Sequence, residues 1–136
     1  MQRHSFMGFR SLLSLSALLL AGLSAQDPSP NLIGVWRGDS LCQVKASACH
    51  DEKALYRVKA AEDVPHHLAV TFSKIVDGRE VVLGTIGDCR TKGDHHTIEC
   101  NYERGTWLLS VSGDRMEGTL TLTDGTVSRR VNLTKQ

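Results

Sequence analysis

The sequence predicts an all-β fold, an eight-stranded antiparallel up-and-down meander barrel with two local disulfides. Turn signals recur at Asp77-Gly78, Lys92-Gly93-Asp94, Arg104-Gly105, Gly113-Asp114 and Asp124-Gly125. β-Branched runs between turns spaced about ten residues apart are the mark of a sandwich or barrel. The registers these turns impose agree on one apolar face, because side chains alternate along a strand and a slip of one residue would invert it. Gly34-Val35-Trp36 opens the first run and Arg129 lies on the apolar face of the last. If the meander closes, its first and last strands adjoin, and Trp36 and Arg129 are expected to meet as the closure pair.

Residues 1–25 read as a signal peptide. Arg3 and Arg10 give a basic start, Ser11 to Leu23 an apolar run, and Leu23-Ser24-Ala25 a small-residue end before Gln26. That run is too short to span a bilayer, and Leu23 stands where a lipid-carrying cysteine would be needed. Residues 26–31, with Pro28 and Pro30, read as a flexible leader, and residues 32–136 as a single barrel domain. Removing residues 1–25 leaves 111 residues, and the formal charge moves from +1 to −1 because Arg3 and Arg10 leave with the segment. A balanced, interspersed charge offers no stripe for phosphate backbones, so neither nucleic acid nor membrane insertion after processing is expected. The expected location is periplasmic or secreted.

Strand one, about Leu32 to Leu41, presents Gly34, Trp36, Gly38 and Ser40 on one side, and strand two, about Ala54 to Ala60, presents Tyr56 and Val58. A two-residue turn at Asp77-Gly78 sets Phe72 opposite Leu83 and Lys74 opposite Val81. A turn at Arg104-Gly105 sets Tyr102 opposite Trp107. Val111 then faces Met116, Leu109 faces Gly118 and Trp107 faces Leu120. Asp124-Gly125 sets Leu122 opposite Val127, Leu120 opposite Arg129 and Gly118 opposite Val131. Val82, Ile86 and Leu108 fall on the outer face as apolar exceptions. Closing eight such strands removes the exposed edges of an open sheet.

Cys42, Cys49, Cys89 and Cys100 all survive processing, and an exported chain lives where thiols oxidise. Three pairings are possible. The local ones are Cys42 with Cys49, closing the loop after strand one, and Cys89 with Cys100, flanking the tip at Lys92-Gly93-Asp94-His95. The second sets Arg90 opposite Glu99, a favourable cross-strand pair. The spacings do not supply the two close pairs of a four-thiolate metal site.

Gly34-x-Trp36 in strand one, the eight-strand meander and an arginine in strand eight together make the chain resemble the lipocalin-like (calycin-type) barrels. That grouping includes lipocalins, fatty-acid-binding proteins, avidins and a bacterial metalloprotease inhibitor. The resemblance covers residues 32–136 as a strand pattern and only those few residues as a motif. The mature chain is shorter than a typical lipocalin, lacks the Thr-Asp-Tyr block, and does not match the tryptophans lining an avidin pocket. A looser likeness, to small exported bacterial barrels, rests on Cys49-His50-Asp51-Glu52 and on the segment from Asp124-Gly125 to Arg130, and brings no activity with it.

Arg129 is the one charge this register buries, so it needs a partner. The ring face of Trp36 is the expected one; the alternatives are an anionic ligand group, or a bulge that turns Arg130 inward instead. A ligand inside the barrel would be lined by Tyr56, Phe72, Thr85, Tyr102, Trp107 and Arg129. Trp36 and Met116 compete for that volume, whereas Gly34, Gly38, Gly87 and Gly118 leave room, so filled and hollow interiors both stand.

His50, Asp51 and Glu52 follow the first disulfide as a candidate loop site for acid-base work or docking. His66, His67, His95 and His96 share one rim and are the only metal candidates, but adjacent histidines on a strand point apart and no carboxylate or thiolate stands at ligand spacing. No nucleophile elbow, zinc helix or phosphate loop is present. The chain is therefore read as neither an enzyme nor a cofactor protein. It reads as a binding module for a small, partly apolar molecule, with a protein-interaction module as the alternative, such as an inhibitor acting through the leader or the Cys42 to Cys49 loop over a filled core.

Overall fold

The computed structural model describes residues 28–45 and 48–136, together with Gly22, so the expected signal peptide lies outside the described residues apart from that glycine. A 3-10 turn over Pro30–Leu32 precedes eight strands: β1 Gly34–Cys42, β2 Glu52–Ala60, β3 Leu68–Val76, β4 Arg79–Thr91, β5 Thr97–Tyr102, β6 Gly105–Ser112, β7 Arg115–Leu122 and β8 Val127–Lys135. Each pairs antiparallel with the next, and β8 closes on β1. The all-β meander barrel and both expected disulfides, Cys42–Cys49 and Cys89–Cys100, are present.

The interior divides into two halves. At the end where the chain enters, Leu32, Trp36, Leu68, Ile98, Leu109, Met116 and Leu133 are completely or almost completely buried and fill the barrel. Leu32 comes from the 3-10 turn, and its carbonyl accepts a hydrogen bond from Trp36 Nε1 at 3.1 Å. This end is plugged. The opposite rim carries the Cys42–Cys49 loop and the β3–β4, β5–β6 and β7–β8 turns, and there the wall surrounds open space.

Several registers stand as the turns imply. Lys74 faces Val81, Cys89 faces Cys100, and Val111, Leu109 and Trp107 face Met116, Gly118 and Leu120. Leu120 faces Arg129 and Gly118 faces Val131. Asp77 and Gly78 both adopt positive φ, 51° and 77°, as a two-residue hairpin turn matched to strand twist requires.

Other pairings differ. Phe72 faces Gly84 and not Leu83, because a bulge between the Phe72 and Ser73 pairs inserts a residue into β4. Beyond it the faces exchange, so Ile86 packs against the core, while Leu83 in the bulge is 57% exposed and Val81 and Val82, between turn and bulge, are 41% and 59% exposed. The β5–β6 turn is Glu103-Arg104, so Tyr102 faces Gly105 and Cys100 faces Trp107. Gly105 serves in the strand: a Cβ there would stand 2.2 Å from the Thr121 carbonyl oxygen, so a close strand approach demands it. This two-residue slip preserves the face. In β8 a bulge sets Val127 opposite Thr121 and not Leu122.

Trp36 and Arg129 do not meet. Antiparallel neighbours place the start of one strand beside the end of the other, so Trp36 faces Lys135 and Arg129 faces Cys42. The Lys135 ammonium lies 5.4 Å from the Trp36 ring centroid and takes the role expected of the arginine. Gly38 leaves no room inside, because a Cβ there would fall 2.1 Å from the Asn132 carbonyl oxygen of β8.

β4 and β5 pair only from Cys89 to Thr91. The remaining β4 residues, bonded to β3 on one side, leave a notch in the wall beside β5. At the plugged end, the β4–β5 tip is organised by Asp94, whose carboxylate accepts hydrogen bonds from the Thr97 hydroxyl at 2.7 Å and from the amides of His96 and Thr97 at 2.9 Å. These bonds, the hydroxyl's first, hold its pKa at about 2. The folded value lies below the ordinary one, so the stabilisation is complete above the ordinary carboxylate pKa and is lost as pH falls through about 2. A carboxyl-carbon NMR titration should place the Asp94 midpoint near that value, and Asp94→Ala should speed amide exchange at His96 and Thr97; an ordinary midpoint would show that the tip is not closed in solution.

Candidate functional site

A cavity of about 510 Å³ opens at the unplugged rim. Alternation along the strands builds its walls: Ser40 comes from β1, Glu52 and Tyr56 from β2, Phe72 from β3, Trp107 from β6, Leu120 from β7 and Arg129 from β8. Its floor is aromatic. Phe72 and Trp107 stack with centroids 5.0 Å apart, and Tyr56 meets both edge-on at 4.8 and 5.7 Å. Such mutual packing fixes the rings and separates the cavity from the filled half below.

The six residues expected to line a ligand, Tyr56, Phe72, Thr85, Tyr102, Trp107 and Arg129, all border this cavity. They do so unequally. Thr85 stands on the free edge of β4, and its hydroxyl bonds to that of Thr71 at 2.9 Å on the outer side, so it is a border and not a polar fixture. Tyr102 is on the rim beside Glu103 and Arg104, which also line the mouth. A side cleft of about 560 Å³ between β4 and β5 shares Thr85, Ile86 and Tyr102 with the cavity, so the notch is a second way in.

Arg129 organises the polar wall. Its guanidinium donates to Ser40 Oγ at 3.2 Å and to the His50 carbonyl at 3.1 Å, and lies 3.4 Å from a Glu52 carboxylate oxygen. Both charged side chains are largely buried, 16% and 22% exposed. Burial pushes the Tyr56 phenol well above its ordinary pKa, outweighing the opposing effects of a Ser40 hydrogen bond and the Arg129 charge, so the phenol stays neutral.

His50, Asp51 and Glu52 therefore serve three different partners. His50 offers its carbonyl to Arg129, Asp51 accepts from the Cys42 amide at 2.8 Å, and Glu52 faces Arg129. Their carboxylates are turned to separate tasks and form no acid-base pair. His66, His67, His95 and His96 lie at the plugged end, away from the cavity, with His66 and His95 in left-handed turn conformations. The His67 ring is hydrogen bonded to Asp88. Among the described residues no three His, Cys, Asp or Glu side chains stand close enough to hold a metal ion.

Ser40 and Glu52 entered neither the expected lining nor the expected closure, yet both were within reach of the sequence. Glu52, Ala54, Tyr56 and Val58 alternate on one face, and Ser40 follows Trp36 by four residues on the inward side of β1. Leu120 was placed inward but not at the cavity.

The two disulfides fit an oxidising compartment, and no described helix is long and apolar enough to cross a membrane. Comparison with family models, curated proteins and solved structures finds no match. The eight-stranded antiparallel barrel is the architecture that this chain has in common with the lipocalin-like proteins.

Proposed function

We propose that this protein is an exported binding module, periplasmic or secreted, which holds a small, partly apolar molecule in the rim cavity. The cavity itself carries the reading: about 510 Å³, floored by Tyr56, Phe72 and Trp107 and edged by a few fixed polar groups, within the range of small-molecule sites. One end is plugged, so a ligand entering at the mouth or the notch rests on the rings. The likeness to lipocalin-like barrels supports the same reading. An inhibitor acting through the leader or the Cys42–Cys49 loop over a filled core fits less well, because the half of the barrel next to that loop is hollow.

Two measurements test this. Native mass spectrometry of protein purified from its host should show an added small-molecule mass that leaves on denaturation. The neutral dye N-phenyl-1-naphthylamine should bind saturably at a single site, with its emission shifted as in an apolar surrounding, and Trp107→Ala should weaken it. A chain that carries no added mass and does not saturate with the dye is not a small-molecule binder.

A further inference from the structure

We propose that Glu52 acts as a charge gate: by neutralising Arg129 it makes the cavity select uncharged ligands and turn away carboxylates, sulfonates and phosphates. The inference rests on the ligand-binding reading above and names the ligand class that reading leaves open.

Arg129 is the obvious anchor for an anion, but its guanidinium already faces acceptors of the protein's own. One nitrogen serves Ser40 Oγ at 3.2 Å and the His50 carbonyl at 3.1 Å, and the other faces Glu52 at 3.4 Å. An incoming anion would have to displace Glu52 or lie against its carboxylate. Displacement strands a largely buried charge, and juxtaposition opposes two like charges in a place poorly served by water. The rest of the lining keeps this balance: two arginines, Arg104 and Arg129, against two glutamates, Glu52 and Glu103. Among the described residues no fully buried side-chain nitrogen or oxygen lacks a partner. What remains open to a ligand is the aromatic floor, together with the neutral phenol of Tyr56. An uncharged molecule with an apolar, ring-sized body and at most a neutral hydrogen-bonding group meets those terms.

A matched pair of dyes tests the gate. N-phenyl-1-naphthylamine and 8-anilinonaphthalene-1-sulfonate share one aromatic scaffold and differ by the sulfonate charge. The wild-type protein should bind the neutral dye at least tenfold more tightly, about the factor that one unfavourable charge contact supplies. Glu52→Gln keeps the shape but frees the guanidinium, so it should raise the ratio of sulfonate-dye to neutral-dye affinity about tenfold. That gain should shrink as salt is raised. It should vanish in the double variant Glu52→Gln, Arg129→Gln, where the ratio of the two dye affinities should return to the wild-type value. Equal wild-type affinity for both dyes, or no gain in Glu52→Gln while the neutral dye still binds, overturns the gate and leaves the cavity reading in place. Failure of the wild-type protein to bind the neutral dye overturns the cavity reading itself, and the gate with it.

Discussion

Trp36→Ala should lower the unfolding free energy by about 3–5 kcal/mol, the usual cost of deleting a large buried aromatic side chain. Three interactions of one side chain disappear at once. The ring is wholly buried and fills the plugged end. Its Nε1 hydrogen satisfies the Leu32 carbonyl, which fastens the 3-10 turn across the barrel, and its face receives the Lys135 ammonium from the last strand. Small domains have only about 5–15 kcal/mol of net stability, so the alanine variant should be barely folded at physiological temperature. Trp36→Phe keeps most of the apolar volume and loses the hydrogen bond, and should cost about 1–2 kcal/mol. Urea midpoints at unchanged slope measure both. An alanine variant within about 1 kcal/mol of wild type, roughly the cost of one methylene, would mean that the plug does not support the barrel.

Trp36 also marks how far the sequence can be read. Its burial follows from Gly34-x-Trp36 heading an alternating strand, and barrel closure follows from eight strands sharing one apolar face. The identity of its partner does not follow from proximity of strands alone: direction decides, and antiparallel β1 and β8 bring Lys135, not Arg129, to the ring. Registers close to two-residue turns were legible because such turns fix pairing, as Lys74 with Val81 and Val111 with Met116 show. The β4 bulge was not, since one extra residue among Val81, Val82, Leu83 and Gly84 changes neither composition nor hydropathy, yet it exposes Leu83 and turns Ile86 inward. Gly105 misled for a related reason: glycine marks turns and close strand approaches alike, and only packing against Thr121 tells them apart. The cavity's side chains were largely legible by alternation. Its volume was not, because that depends on how the Tyr56, Phe72 and Trp107 rings pack and on how far β4 parts from β5.

Removing the Cys89–Cys100 bridge should have the other large effect. In the chain-entropy account a loop of this size restrains the unfolded chain by about 3 kcal/mol, and the Cys42–Cys49 bridge, with its shorter loop, by only a little less. Their native surroundings separate them. Cys89 and Cys100 are both completely buried, so Cys89→Ala with Cys100→Ala also removes packed sulfur from the core and leaves a gap, whereas Cys42 and Cys49 are only half-buried at the rim. The core pair also belongs to the only segment where β4 and β5 are joined, a ladder of three residue pairs with the notch directly beyond it. Without the bridge that short ladder alone must hold the wall shut, and the notch should extend toward the plug. Two observables should therefore move together in the Cys89→Ala, Cys100→Ala protein: a urea midpoint lower than in the Cys42→Ala, Cys49→Ala protein, and faster amide exchange at Arg90 and Glu99 than at Trp107 and Leu120. Binding of the neutral dye should weaken as well, because the cavity and the side cleft share Thr85, Ile86 and Tyr102 and would merge. A core-bridge variant that loses stability yet retains slow exchange at Arg90 and full dye affinity would show that the bridge acts only on the unfolded chain, and that the barrel wall between β4 and β5 is held by packing against Ile98 and Leu68 instead.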